Sequence, residues 1–204
     1  MIMVRRHDPV PTRFPPLLIG VLAVVWVVSC RQSDPLPVLF EIPAFSLVDQ
    51  DGAVFKSETL SGRPYLVNFF FSTCPTICVT NMAAIKAMHE RWNDAGRAHR
   101  IVSITVDPDN DTPEVLKNYG LKLGSSFDRW AYLTGETASV RSLITEGFKT
   151  WMGERETNED GVVDIGHGAR VLLVDGAGRL RGLFDTNTNG LEQLSVAMES
   201  LGRP

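Results

Sequence analysis

The chain has 204 residues, 44% of them hydrophobic and 22% charged, with a formal charge of −4. That is enough apolar material for one domain with its own core, and nothing in the composition is extreme enough for a disordered or fibrous class. A weakly acidic chain with no basic stripe argues against nucleic acid as a partner.

The N-terminus reads as a targeting segment. Arg5, Arg6 and Arg13 precede an apolar run over residues 17–28. That run is too short to span a bilayer comfortably and has the length of a signal h-region. It ends Val27-Val28-Ser29-Cys30. An apolar residue, a small residue and then cysteine form the pattern of a bacterial lipoprotein signal. Cys30 is then acylated and becomes the new N-terminus. The alternative is an uncleaved anchor with a chance cysteine. Both readings export the folded part and leave it on the membrane, facing the periplasm or the extracytoplasmic side. Residues 1–29 are therefore expected to be signal peptide, 30–43 tether and 44–204 the folded domain. Loss of residues 1–29 removes three arginines and one aspartate and takes the formal charge from −4 to −6.

The tether is suggested by Pro35, Pro37 and Pro43, which favour extended backbone. Residues 44–56 read as a hairpin turning at Asp49-Gln50-Asp51-Gly52. Residues 65–71 are nearly continuously apolar, as in a strand buried on both faces. A helix is expected from Cys78 to Asn93, where Met82, Ile85, Met88 or His89, and Trp92 recur at helical spacing. Residues 101–106 make a second buried strand. The loop Asp107-Pro108-Asp109-Asn110-Asp111 follows, and Asp111 or Thr112 caps the next helix ahead of Pro113. Asp107, Asp109 and Asp111 alternate like the start of a calcium loop. However, Thr112 and Asn118 stand where such a loop needs glycine and glutamate, so a turn and helix cap is the better reading. Residues 131–134 form a short strand and 137–148 a helix. Residues 149–168 are polar and glycine-bearing, and are expected to be a functional or mobile loop closed by His167. Residues 169–174 and 180–184 make a hairpin through Asp175-Gly176, and a helix over 191–201 ends the chain. Strands alternating with helices predict an α/β fold, with a central mixed sheet flanked by helices.

The chemistry concentrates in Ser72-Thr73-Cys74-Pro75-Thr76-Ile77-Cys78. If Cys30 carries lipid, Cys74 and Cys78 remain as a pair in an oxidising compartment. On a helix, positions four apart lie on one face, with Cα atoms about 6 Å apart. That distance suits a disulfide, and equally a shared metal at about 2.3 Å from each sulfur. A helix N-terminus favours the thiolate that either chemistry needs. The placement, after a buried strand and opening a helix, is that of a thioredoxin-like redox site. Three intervening residues rather than two tilt the pair toward metal without excluding redox. An inert disulfide is the bland alternative, but so short a loop constrains the unfolded chain only modestly.

His167 is the candidate third ligand, set between two glycines just before a strand. The other histidines fit worse. His7 leaves with the signal. His89 is about 16 Å along the helix from Cys78. His99 lies in a polar connection. Two thiolates and an imidazole suit copper or zinc. A closed zinc site would need a fourth ligand. Three ligands, one of them on a loop, suit a metal that exchanges.

Several runs together resemble the Sco/SenC family of copper proteins. They are residues 68–78, then Ser103-Ile104-Thr105-Val106-Asp107-Pro108 with Asp111-Thr112-Pro113, then Leu133-Thr134-Gly135, and His167 ahead of residues 171–175. The resemblance covers the chain from about Phe45 to the last helix. It implies a thioredoxin-like fold with an added N-terminal β-hairpin. It also implies copper, Cu(I) or Cu(II), bound by Cys74, Cys78 and His167, and a role in assembling the dinuclear copper centre of cytochrome c oxidase. Implied partners are the copper-accepting oxidase subunit or its assembly factors, and a thiol reductant. Two positions depart from the family pattern. Val79 stands where many members have proline, and Gly166 stands where many have aspartate directly before the histidine.

The expected function is a membrane-tethered copper chaperone, a binding and transfer protein rather than an enzyme. The alternative is a thiol-disulfide oxidoreductase in which Cys74 and Cys78 are the catalytic pair. A thiol peroxidase is a weaker third.

Overall fold

The chain runs β1 (Phe40–Glu41), β2 (Ser46–Asp49), β3 (Val54–Lys56), β4 (Tyr65–Phe70), α1 (Ile77–Asp94), β5 (Ile101–Thr105), α2 (Pro113–Leu123), β6 (Trp130–Thr134), α3 (Thr137–Ser142), β7 (Met152–Thr157), β8 (Val163–His167), β9 (Val171–Val174), β10 (Arg179–Phe184) and α4 (Thr188–Gly202). This is a computed structural model that describes residues 36–74 and 77–202, with the backbone alone at residues 77, 78 and 202. The expected signal segment, Cys30 and the start of the tether lie outside the described residues. No helix among the described residues is long and apolar enough to cross a membrane.

Eight strands form one mixed sheet in the order β1-β10-β9-β4-β5-β6-β2-β3. β4, β5 and β6 are parallel, and the outer pairs are antiparallel. Every residue of β4 is buried, as a strand covered on both faces requires. Its side chains alternate between two cores. Tyr65, Val67 and Phe69 face a core shared with Val140 and Ile144, whereas Leu66 and Phe70 face Met82, Ile85, Leu116 and Leu194. The predicted helical stripe of Met82, Ile85, Met88 and Trp92 is thus buried on the sheet. The hairpin predicted over residues 44–56 is β2 and β3, added at the far edge beyond β6.

Three expectations need correction. Residues 36–43 are not simply a tether, because their backbone is captured by the sheet. Phe40 pairs with Leu180 and Glu41 with Arg179. The Arg181 guanidinium donates to the carbonyls of Leu36 and Pro37. The helix expected over 137–148 is α-helical only to Ser142; Leu143–Gly147 is a π turn. It ends through Lys149 at φ 52°, the one non-glycine residue with positive φ among those described, a left-handed helix stop.

The third correction matters most for function. Residues 149–168 are not a loop. They form the antiparallel hairpin β7–β8, with Met152 opposite His167 and Thr157 opposite Val163. The polar run Asn158-Glu159-Asp160-Gly161 is only its turn, where the Asn158 side chain accepts from Val162 N–H at 2.8 Å. Met152 and Ile165 bury themselves in the core beneath it. The register shifts between Met152 and Arg155, which blurs the strict alternation that marks a strand in sequence.

Candidate metal centre

The parallel strands β4 and β5 end at one edge of the sheet, the usual place for a site in an open α/β fold. Cys74 lies in the loop that leaves β4. It is buried in one cluster with Phe71, Met152 and Ile165. Its N–H points back to the Phe71 carbonyl at 3.4 Å.

This loop is pinned from the segment that follows β5. Asp111 has no solvent exposure. Its carboxylate accepts from Ser72 N–H at 3.1 Å, from the Ser72 hydroxyl, and from the Thr105 hydroxyl. The Asp111 N–H in turn donates to the Asp107 carbonyl at 2.9 Å. Burial pushes the Asp111 carboxyl above its usual pKa, opposed by the bonds from Ser72 and Thr105. Helix capping falls to Thr112, whose hydroxyl accepts from Val115 N–H at 3.4 Å. Asp111 is thus a site-shaping residue, where the sequence offered it as part of a turn or as the helix cap. Its signal was present, since a carboxylate beside a capping Thr-Pro is superfluous as a cap.

His167 ends β8. Its ring stands edge-on to Phe71, with centroids 6.2 Å apart and planes at 80°. Nδ1 lies 3.0 Å from the Gly168 carbonyl. A carbonyl only accepts, so the proton sits on Nδ1 and the lone pair on Nε2. Burial lowers the His167 pKa, opposed by the Gly168 bond and by Asp164. Burial therefore favours the neutral ring, the form a metal takes.

The hairpin carrying His167 is braced to the rest of the site. Arg155 on β7 reaches the buried carboxylate of Asp107 at 3.4 Å. Arg141 on α3 donates to the Gly153 carbonyl at 3.1 Å and pairs with Glu154. On the other side, Asn81 of α1 donates to the Ala169 carbonyl at 3.4 Å and accepts from Thr186. Asn81 is one helical turn beyond Cys78, whose backbone lies in the first turn of α1; the Cys78 side chain is outside what the structure describes. The fold therefore draws the Cys74 loop, the start of α1 and His167 to one edge of the sheet. Phe71 and Asn81 make the connections, a role that neither reveals in the sequence because each acts only across the fold. His89 and His99 are elsewhere, bonded to each other at 2.8 Å.

Residues 38–201 match the model of the SCO1/SenC family. The chain belongs to the SCO1/SenC family. It is 34% identical over 173 residues to the SCO2-like protein RP587 of Rickettsia prowazekii, covering 80% of this chain and 82% of that one. Among solved structures it is similar to Bradyrhizobium japonicum ScoI with copper bound, at 26% identity and TM-score 0.66, covering 79% of this chain and 99% of that one. It is also similar to BsSco, a member of the Sco family of cytochrome c oxidase assembly proteins in which a disulfide switch has been identified. That match has 27% identity and TM-score 0.70, over 83% of this chain and 96% of that one. The thioredoxin-like architecture expected for a Sco protein, with its added hairpin, is the one this SCO1/SenC chain adopts.

The donor chemistry fits copper. A buried cysteine and an imidazole are soft to intermediate donors.

Proposed function

We propose that this chain is a copper metallochaperone for the dinuclear copper centre of cytochrome c oxidase. It binds Cu(I) or Cu(II) through Cys74, Cys78 and His167. It is held at the extracytoplasmic face of the membrane by lipid on Cys30, and passes copper to an oxidase subunit or an assembly factor. The observation that carries the reading is the meeting of β8 with the loop after β4. There the His167 ring lies against Phe71, three residues ahead of Cys74. A dithiol reductant has no use for that imidazole. A Cu(II) site has, because imidazole adds a ligand that oxidised copper favours over thiolate alone. The named properties of ScoI and BsSco support the same reading.

The test is anaerobic copper titration followed by optical spectra. One copper per chain with strong thiolate-to-Cu(II) charge-transfer bands is expected. No binding, together with a measurable dithiol potential, would favour the second reading, a thiol-disulfide oxidoreductase. That reading draws on the disulfide switch of BsSco and on the position of Cys74 just ahead of a helix N-terminus. In the chaperone reading the same disulfide acts as the control on metal binding, since a disulfide has no thiolate to offer.

A further inference from the structure

Trp151 leaves 68% of its surface in solvent, an unusual position for a large apolar ring. The indole is nevertheless closely seated. A Cβ built on Gly166 would lie 2.3 Å from its Cη2 and 2.7 Å from its Cζ3, and one built on Gly153 would lie 3.3 Å from Cη2 and Cζ2. Its six-membered ring therefore rests on the bare backbone of β8 at Gly166 and of β7 at Gly153. The backbone of Trp151 holds the other side of the same ligand, since Gly168 N–H donates to its carbonyl at 3.2 Å. Thr150 Cγ2 fills the space beside Gly168, 2.5 Å from where a Cβ would be. The residues immediately before and after His167 are thus both gripped by the consecutive pair Thr150 and Trp151.

We propose that Trp151 is a positioning residue for His167. Its indole, seated on Gly166, sets the direction in which β8 presents the imidazole. This rests on the reading of His167 as a copper ligand. It also accounts for glycine at position 166. Any side chain at 166 would occupy the seat of the indole, so a carboxylate there and a seated Trp151 exclude one another. The effect falls on Cu(II), which draws on the imidazole, and spares Cu(I), which two thiolates satisfy.

The experiment titrates Cu(II) and Cu(I) against competing chelators, using the full chain in detergent. It compares Trp151→Ala, Gly166→Ala, the double variant, and His167→Ala as reference. Each of the first two weakens Cu(II) binding by roughly tenfold, as removing a partner that orients a ligand does, and leaves Cu(I) binding unchanged. The double variant binds Cu(II) no more weakly than Trp151→Ala alone, because Gly166→Ala acts only by unseating the indole. Gly166→Ala also shifts indole emission to the red, and this shift is absent when Trp151 is alanine. If His167→Ala weakens Cu(II) and Trp151→Ala does not, the positioning role is wrong and the ligand reading stands. If His167→Ala changes nothing, both fall. Equal losses of Cu(I) and Cu(II) in Trp151→Ala, or the same cost of Gly166→Ala in both backgrounds, also overturn the positioning role.

Discussion

The His167 ring meets the Phe71 ring edge-on, with centroids 6.2 Å apart. Phe71 is buried and belongs to the cluster that holds Cys74, so one aromatic side chain touches the imidazole and shares a core with the thiol. The T-shaped contact restricts the tilt of the imidazole without using either ring nitrogen. Phe71→Leu keeps most of the buried volume and removes the ring. It is expected to lower Cu(II) affinity while the urea midpoint falls only slightly, a pair of titrations that separates orientation from stability.

His167→Ala should cost Cu(II) affinity more than the ~10–100-fold typical of losing a partner that merely orients a ligand. In the proposed site Cu(I) draws on the two thiolates, so its affinity should change little. Competition titrations of both oxidation states give the ratio directly. Equal affinities for Cu(II) in the variant and the parent would remove His167 from the ligand set.

Asp111→Asn replaces a carboxylate that accepts from Ser72 N–H, Ser72 O–H and Thr105 O–H with an amide that has one acceptor oxygen. At least one buried donor then lacks an acceptor, at a cost of about 1–3 kcal/mol in unfolding free energy. The loop carrying Cys74 loosens at the same time. Urea titration should show the lower midpoint, and alkylation of the reduced protein should show faster modification of Cys74.

The buried His89–His99 pair makes stability fall in mild acid. His99 Nδ1–H donates to the Arg97 carbonyl, which leaves His99 Nε2 to accept from His89 Nδ1–H; His89 Nε2 then accepts from the Asn93 amide. Each ring holds one proton, and a second would set donor against donor. Burial, and then the neighbouring His99, pull His89 down to about 4; burial also lowers His99. Asp128 and Glu90 push His89 the other way, while Arg129 adds to the lowering. A depressed histidine contributes stability above its unfolded pKa, near 6.5, and loses it as pH falls through the folded value. The unfolding midpoint should therefore drop between about pH 6.5 and 4. The drop should be shallower in the His89→Gln/His99→Gln variant than in the parent. Parallel pH profiles for the two proteins would count against the pair as its source.

Arg181 is 6% exposed. It donates to Asp175 Oδ2 at 2.8 Å and to the carbonyls of Leu36 and Pro37. Arg181→Ala removes the clamp on residues 36–37 but leaves Asp175 paired with Arg179. The expected loss is about 1–3 kcal/mol, as for hydrogen bonds to a charged group. Limited proteolysis should cut upstream of Phe40 sooner than in the parent.

Local pattern carried much of the fold. An apolar run required β4 to be buried on both faces, helical spacing aligned Met82, Ile85, Met88 and Trp92, and Asp-Gly turned the β2–β3 hairpin. Cys74, Cys78 and His167 stand out as candidates in the sequence because sulfur and imidazole are few and chemically distinct. The β7–β8 hairpin was hidden because its polar residues face water, its turn is long and its register slips at Met152. Those features resemble a loop until Ile165 and Met152 are seen in the core. The roles of Asp111, Phe71, Asn81 and Trp151 were hidden for a different reason. Each acts through space on a residue 39, 96, 88 or 15 positions away, respectively. The sequence alone determined which atoms are available for the chemistry, because donor type is a property of the residue. Tertiary structure decided how those atoms are aimed and held, because direction comes from strand register and from neighbours distant in the chain.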